Sequence, residues 1–242
     1  MTEALNSRHD HSQATLTEKE DSVRELTSAL LTGKADEAKQ RAYTALAKGS
    51  NEREIVDAVV EAANIVCDLQ ELEQYDQAKI VSVENAANAC LHTLEDSLAK
   101  AEEKFGVKVT VGPVGLKTGA LLALALSASL RSLGFHSTNL GKTQTALDLL
   151  RNSEELDSDL VIALLPSNAP EHLAAFTETY ERGGFKNKFQ IIAVAPGLPE
   201  NVPSSLTVAR NLQEAISKAT QWALKNSRGY HKTASSLGTP TS

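Results

Sequence analysis

Two segments of the chain place a lysine and a threonine beside glycines, a combination with which many proteins hold phosphate. The first, "VGPVGLKTG", contains Lys117 and Thr118. A P-loop requires G-x-x-x-x-G-K-[ST], because its second glycine lets backbone amides turn onto the phosphates. Leu116 stands where that glycine must be, and Val111 stands at the position of the first one. The segment therefore does not predict a nucleotide triphosphate site.

The second segment, "HSTNLGKTQTALDLL", places Gly141, Lys142 and Thr143 before a helical pattern. His136 replaces the first of the two glycines that a P-loop requires. We therefore interpret Lys142 as an exposed lysine and Thr143 as the N-cap of the following helix.

The first segment also lacks the dinucleotide fingerprint. Its glycines are Gly112, Gly115 and Gly119, a spacing that differs from G-x-G-x-x-G. Asn139 ends the second predicted strand, where a ribose-binding acid is expected. The sequence therefore predicts no nicotinamide cofactor.

Cysteine and histidine residues do not form a convincing catalytic or metal-binding set. Cys90 and His92 are two residues apart in a helical pattern, so they do not share a helix face. We interpret Cys90 and Cys67 as core cysteines. His136 and His172 could ligate a metal only if the fold brought them together, and surface or capping roles are commoner. We therefore predict no catalytic residue and no metal site, and a binding or carrier module rather than an enzyme.

Composition excludes several classes of partner. The net charge of −7 and the 4% aromatic content disfavour binding to nucleic acid. The two cysteines have no CxxC spacing, which fits a reducing compartment. The N-terminal segment lacks the apolar region of a secretory signal, and the longest apolar run is shorter than the roughly 20 residues that span a bilayer. We predict a cytoplasmic protein that does not bind membranes.

Helical patterns with short connections fill residues 17–104 and predict an antiparallel four-helix bundle. Thr17 begins the first helix with a capping box, Gly33 and Gly49 end the first two helices, and Asn51 with Glu54 begins the third. The fourth helix carries an apolar stripe: Ile80, Val83, Ala87, Cys90, Leu94 and Leu98.

Residues 105–225 change to strands alternating with helices, while residues 1–16 and 226–242 have the polar composition of disordered tails. The predicted strands lie in "VKVTV", "HSTNL", "DLVIALL", "FQIIAVA" and "SLTVA". Continuous apolar strands between helices predict a five-stranded parallel sheet covered on both faces, flavodoxin-like or Rossmann-like. "GPVGLKTG", "PSNAP" and "APGLP" then lie at its ligand-binding edge. The helix "ALLALALSASL" is apolar all round, so a homo-oligomer is plausible.

A four-helix cap followed by such a domain resembles the corrinoid proteins of methyltransferase systems, of the methionine-synthase type. "LTSALLTGKADEAKQRAYTALAKGSNEREIVDAVVEAA" looks like the first cap helices, and "VTVGPV" with "LGF" and "NLG" reproduces the frame of the second module. The resemblance covers residues 25–224. It implies a cap over the upper face of cobalamin and a Rossmann-like module below it.

The resemblance also implies where a cobalamin site would lie, and there this sequence departs from the family. The family signature is Asp-x-His-x-x-Gly, in which the histidine is the lower cobalt ligand. Those positions hold Lys117, Gly119 and Leu122, so the loop supplies no imidazole. The family's Gly-Gly beside the nucleotide tail falls on Ala193 and Val194, and the flanking hydroxyl-bearing segment is a shorter one. The candidate cofactor-lining residues are Gly112, Gly115, Lys117, Thr118, Gly119, Ser167, Asn168, Ala193 and Val194.

Four functions remain open at this point. We favour a non-catalytic relative that has lost the histidine ligand and serves as a ligand-binding or partner-interaction, regulatory subunit. The partner could be a methyltransferase or another protein. The alternatives are a cobalamin-binding protein with another cobalt ligand or with the cofactor's own base on cobalt, a sensor of another tetrapyrrole or flat ligand, and an enzyme with its own active site.

Overall fold

A computed structural model describes the backbone of residues 3–101, 105–142, 144–166, 170–195, 197 and 205–234. The chain divides into two compact units, Met1–Leu98 and Ala99–Ser242, called here the helical unit and the α/β unit. The helices are α1 (Glu3–Thr32), α2 (Ala35–Ala47), α3 (Glu52–Glu71), α4 (Gln77–Leu91), α5 (Glu95–Ala101), α6 (Gly119–Leu133), α7 (Ala146–Glu155), α8 (Pro170–Arg182) and α9 (Leu212–Ala234). The strands are β1 (Lys108–Pro113), β2 (His136–Asn139), β3 (Leu160–Leu164), β4 (Gln190–Val194) and β5 (Thr207–Ala209).

Local signals in the sequence determine several helix ends of the helical unit. Gly33 follows α1 with φ of +73°, and Gly49 follows α2 with φ of +92°. A Cβ on Gly33 would lie 2.8 Å from the Cβ of Ser82, so glycine also allows the end of α1 to approach α4 closely. Asn51 caps α3, accepting from the Glu54 amide at 3.0 Å, while the Glu54 carboxylate accepts from the Asn51 amide at 3.0 Å. The predicted start of α3 at Asn51 is confirmed, and the structure shows it to be a capping box.

The predicted fourth helix is interrupted. Helix α4 ends at Leu91, a 3-10 turn spans His92–Leu94, and α5 continues from Glu95. The Thr93 hydroxyl donates to the Cys90 carbonyl at 2.7 Å across the interruption. The tighter turn leaves the apolar stripe on the inside, because all of its residues are buried: Ile80, Val83, Ala87, Cys90, Leu94 and Leu98.

Two expectations about chain ends differ from the structure. Helix α1 already begins at Glu3, so Thr17 lies inside a helix instead of capping one, and the predicted disordered tail over 1–16 is largely helical. Helix α9 likewise continues to Ala234, past the predicted start of the second tail at residue 226. Extending an existing helix adds one hydrogen bond per residue without a new nucleation cost, so polar composition alone is a weak stop signal.

The α/β unit has one parallel five-stranded sheet of order β2-β1-β3-β4-β5, the flavodoxin-like order. Every neighbouring pair is parallel, as the apolar strands predicted. Helices α7 and α8 contact each other, and so do α6 and α9, so the two pairs form separate layers. Burial of the sheet between two helical layers explains why β3 is buried at all five positions.

Helix α7 begins later than predicted. Its N-cap is Thr145, whose hydroxyl accepts from the Asp148 amide at 3.2 Å. Thr143, the predicted cap, lies outside the described residues. Lys142 is exposed, as predicted, and Gly141 adopts φ of +64°. The lysine and its glycine therefore belong to a connection ahead of the helix, away from its first turn.

The apolar helix of the sequence is α6, and most of its residues are buried. It contacts β1, β2, β3 and α9 within the α/β unit. The Ser127 hydroxyl of α6 donates to the Ser137 hydroxyl at 2.9 Å, so this buried polar group of the helix has a hydrogen-bond partner. Among the described residues, no helix combines the length and hydropathy needed to cross a membrane.

Replacing Glu73 with glycine should stabilise the helical unit. Glu73 follows α3 with φ of +58°, a left-handed conformation that costs an L-residue about 1 kcal/mol and glycine much less. We expect E73G to raise the urea midpoint of the helical unfolding transition. The matched control is E61G in the exposed interior of α3, which should lower stability by about 1 kcal/mol because its backbone is helical. A lower midpoint for E73G would contradict the prediction.

Candidate functional site

The end of β1 is fixed from both sides by backbone hydrogen bonds. The Val114 amide donates to the Leu164 carbonyl of β3 at 2.9 Å. On the other side, the Gln144 amide donates to the Pro113 carbonyl at 3.1 Å, and Val114 forms an isolated bridge with Gln144. The glycine-rich segment therefore starts from a strand end that is already paired with both neighbours.

The loop after β1 presents one glycine and one lysine to solvent. Gly115 is exposed with φ of +68°, and Lys117 is exposed two residues later. Thr118 is fully buried at the start of α6. Among the described residues, a Cβ on Gly115 would meet the Pro166 ring, at 3.9 Å, and the His172 ring, at 4.0 Å. Gly115 is thus the position of this loop with open space around it.

Gly119, the position to which the sequence resemblance assigns the family's histidine, has no room for a side chain. A Cβ built there would overlap the Cβ of Pro113 and lie 2.9 Å from its Cγ. It would also lie 3.3 Å from the Cβ of Leu116. Contacts below about 3.0 Å are repulsive, because carbon atoms are in optimal contact at roughly 3.5–4.0 Å. The fold as it stands excludes an imidazole at this position.

Gly112 is also needed by the chain itself. A Cβ there would lie 2.6 Å from Cδ1 of Leu149 and 3.2 Å from Nε2 of Gln144. Leu149 is fully buried in α7, and Oε1 of Gln144 accepts from the side-chain Nδ2 of Asn152 at 3.0 Å. The close approach that glycine permits at 112 is therefore to the protein's own side chains.

Ala193 and Val194 lie inside the sheet. Both are buried, at 0% and 4% exposure, and they pair with Ala163 and Leu164 of β3. The Val194 carbonyl accepts from the Leu165 amide at 2.9 Å, just beyond the last residue of β3. Side chains and hydrogen bonds therefore occupy the strand end beside which the family's glycines let a nucleotide tail pass.

The sheet brings most of the candidate residues to one edge. The segment 112–119 comprises the last two residues of β1 and the loop into α6, and Ala193–Val194 ends β4, two strands away across β3. Ser167 and Asn168, the candidates after β3, lie outside the described residues. Leu149 of α7 was not expected at this edge, because no local pattern in the sequence links it to Gly112. Pro113 lies in the predicted segment, but the sequence does not reveal its contact with Gly119.

The cysteine and histidine candidates remain apart. Cys90 is buried, and burial raises the pKa of its thiol to about 12. His92 is exposed, with Nδ1 2.7 Å from Oε2 of Glu95. His136 begins β2, whereas His172 lies near the opposite, carboxyl edge of the sheet. The described residues contain no group of three or more side chains suited to a metal ion.

A groove between α1 and α3 of the helical unit was not foreseen from the sequence. It has a volume of about 330 Å³, a floor of Val23 and Ala58, and a charged rim. On the rim, Nζ of Lys19 lies 2.8 Å from Oε1 of Glu54. Burial raises the pKa of Asp57, on the same rim. The groove combines an apolar floor with ion-pairing groups and opens to solvent.

Solved structures supply a match to the whole arrangement. The monomethylamine corrinoid protein of Methanosarcina barkeri aligns with a TM-score of 0.59 over 81% of this chain and 96% of its own, at 14% identity. The chain has the fold of a corrinoid protein. That fold comprises a helical cap and a Rossmann-like domain of the cobalamin-binding type, as the sequence resemblance predicted.

Two further structures align less closely. A cobalamin-binding protein from Desulfitobacterium hafniense DCB-2 gives a TM-score of 0.44 at 14% identity, over 83% of this chain and 98% of its own. The methanol:cobalamin methyltransferase complex MtaBC of Methanosarcina barkeri gives 0.44 at 12% identity, over 84% and 80%. No protein-family model and no curated protein sequence matches the chain.

The residues present do not fit cobalamin as that family holds it. An imidazole from the first turn of α6 would need the volume that Pro113 fills beside Gly119. A nucleotide tail would need space at the strand end where Ala193 and Val194 are buried. The chain has the fold of a corrinoid protein, and its own side chains pack against Gly119 and bury the end of β4.

Cys90 should be unreactive in the folded protein. With a pKa of about 12, only about one thiol in ten thousand is ionised at pH 8, and the thiolate is the nucleophile. We expect Ellman's reagent at pH 8 to modify Cys90 only after unfolding in guanidinium. The C90A variant identifies which of the two cysteines reacts. Modification of Cys90 within minutes in native buffer would contradict the prediction.

Proposed function

We propose that this chain is a corrinoid-protein-like module that has given up the cofactor and acts as a ligand-binding or partner-binding, regulatory subunit. The observation that carries the proposal is the closed strand end at Ala193 and Val194. In a cofactor carrier this end must admit a large group. Here it is part of the core.

Opening that strand end would be costly. Val194 pairs with β3 on one side and with Ala209 of β5 on the other. A tail lying there would have to displace buried apolar side chains, each worth about 1.5–3 kcal/mol when fully buried. It would also threaten backbone hydrogen bonds such as the one from the Ala195 amide to the Ala209 carbonyl, 2.9 Å long. Retaining this packing favours a module that works without cobalamin.

A role in binding another protein fits the remaining features. The described residues hold no group of three or more side chains suited to a metal ion, and the thiol of Cys90 is buried. The groove between α1 and α3 offers an apolar floor with a charged rim, which suits a protein partner. The first partner to test is a methyltransferase, by likeness to corrinoid proteins. The cytoplasm is the proposed compartment.

The absence of cofactor binding is directly testable. We expect the full-length chain to be colourless after incubation with hydroxocobalamin and desalting, and its melting temperature to be unchanged by the cofactor. A corrinoid protein treated in parallel provides the positive control. Retained visible bands in a one-to-one ratio, with a raised melting temperature, would refute the proposal and support a cobalamin carrier with its own base on cobalt.

The partner-binding role predicts a defined complex. We expect the tagged full-length chain, isolated from its host, to carry one protein in a fixed stoichiometry. The variant V23K, which places a charge on the groove floor, should lose it, while E95K at an exposed site of the same unit should retain it. Equal recovery of the partner with V23K would exclude the groove as its binding site. Isolation of the chain without any bound protein would refute the partner role.

A further inference from the structure

We propose that Pro113 is the residue that bars a lower ligand from this fold. Its ring fills the volume that any side chain at Gly119 requires, so the missing histidine is excluded by packing as well as by sequence. The inference deepens the proposed function and rests on it for its relevance to cofactor binding. It concerns the first turn of α6, whereas the proposed function was argued from the end of β4.

Pro113 is held in place at the end of β1. It is the last residue of β1 and pairs with Leu164 of β3. Its carbonyl accepts from the Gln144 amide at 3.1 Å, and the next residue donates to the Leu164 carbonyl at 2.9 Å. The pyrrolidine ring fixes φ and carries no flexible torsion that could swing its atoms away.

Gly119 is likewise held in place, at the start of α6. It is buried, and its amide donates to the Leu116 carbonyl at 3.1 Å as α6 begins. One turn on, Leu121 and Leu122 are buried at 1% and 7% exposure. Because α6 contacts β1 and β2 along its length, retracting its first turn would open a cavity in the core.

The backbone conformation of Gly119 does not by itself require glycine. It is a helical residue, and it is not among the residues of positive φ. Alanine in a helix is ordinarily favoured over glycine by about 1 kcal/mol. The contact with Pro113 is therefore the reason that glycine is required. Replacing Gly119 with alanine should then lower stability, where helix propensity alone would raise it.

A double-mutant cycle tests this contact. We expect G119A to lower the melting temperature by about 5 °C or more, the usual scale of overpacking in a domain of this size. In the P113G background, which removes the overlapping Cβ, the same substitution should cause no loss or a gain. The control G115A, whose Cβ would meet Pro166 and His172 but not Pro113, should cause the same loss in both backgrounds. Equal losses for G119A in both backgrounds would overturn the proposal.

A second measurement uses cobinamide, a corrinoid without the nucleotide tail, so the closed end of β4 does not affect it. We expect the folded G119H variant, checked by circular dichroism, to retain no cobinamide after desalting. Retention with an imidazole-ligated spectrum would overturn the role of Pro113 while leaving the proposed function of the natural chain intact. Binding of hydroxocobalamin to the natural chain with its own base on cobalt would refute the proposed function and leave the role of Pro113 intact.

The folding of the variants is itself informative. If G119H does not fold while P113G/G119H does, the exclusion of a side chain by Pro113 is supported. If neither folds, the volume is restricted by more than Pro113 and the proposal fails.

Discussion

The carboxyl edge of the parallel sheet is joined by a continuous series of backbone hydrogen bonds. The Val114 amide reaches the Leu164 carbonyl, the Leu165 amide reaches the Val194 carbonyl, and the Ala195 amide reaches the Ala209 carbonyl, each at 2.9 Å. Parallel strands place their connecting loops at such an edge, where ligands of doubly wound folds bind. Because pairing here extends past the last residue of the strands, it determines how far each loop can open. The packing of Pro113 and Val194 follows from that constraint.

Glycines in a turn indicate that other atoms approach the backbone closely. They do not indicate whether those atoms belong to a ligand or to the protein itself. At Gly112 the approaching atoms belong to Leu149 and Gln144, and at Gly119 they belong to Pro113. A cofactor-binding loop and a self-packed loop can therefore share the same glycine pattern. A corrinoid-protein fold is therefore compatible with a loop that is packed by the protein's own side chains.

The helical unit follows a different principle, because its architecture depends mainly on local signals and on one apolar stripe. The capping box at Asn51 and the left-handed turn at Gly33 define helix ends within a few residues of sequence. The stripe remains buried through the 3-10 turn at His92–Leu94, so burial of the side chains outweighs regularity of the backbone. The groove beside Val23 arises where α1 and α3 leave space between small and charged side chains.

The sequence by itself determined the fold class and several helix ends, because these depend on hydrophobic periodicity and on short-range capping. It also determined that no imidazole follows β1, since Gly119 can be read directly from the chain. It did not determine where α1 begins, because polar residues such as those around Thr17 continue a helix as readily as they precede one. Only the tertiary structure decided that Pro113 fills the space beside Gly119 and that Leu149 fills the space beside Gly112. Leu149 is far from Gly112 along the chain, whereas Pro113 contacts Gly119 across the turn between β1 and α6. Both contacts exist only because the sheet pairing and the packing of α6 and α7 bring the residues together.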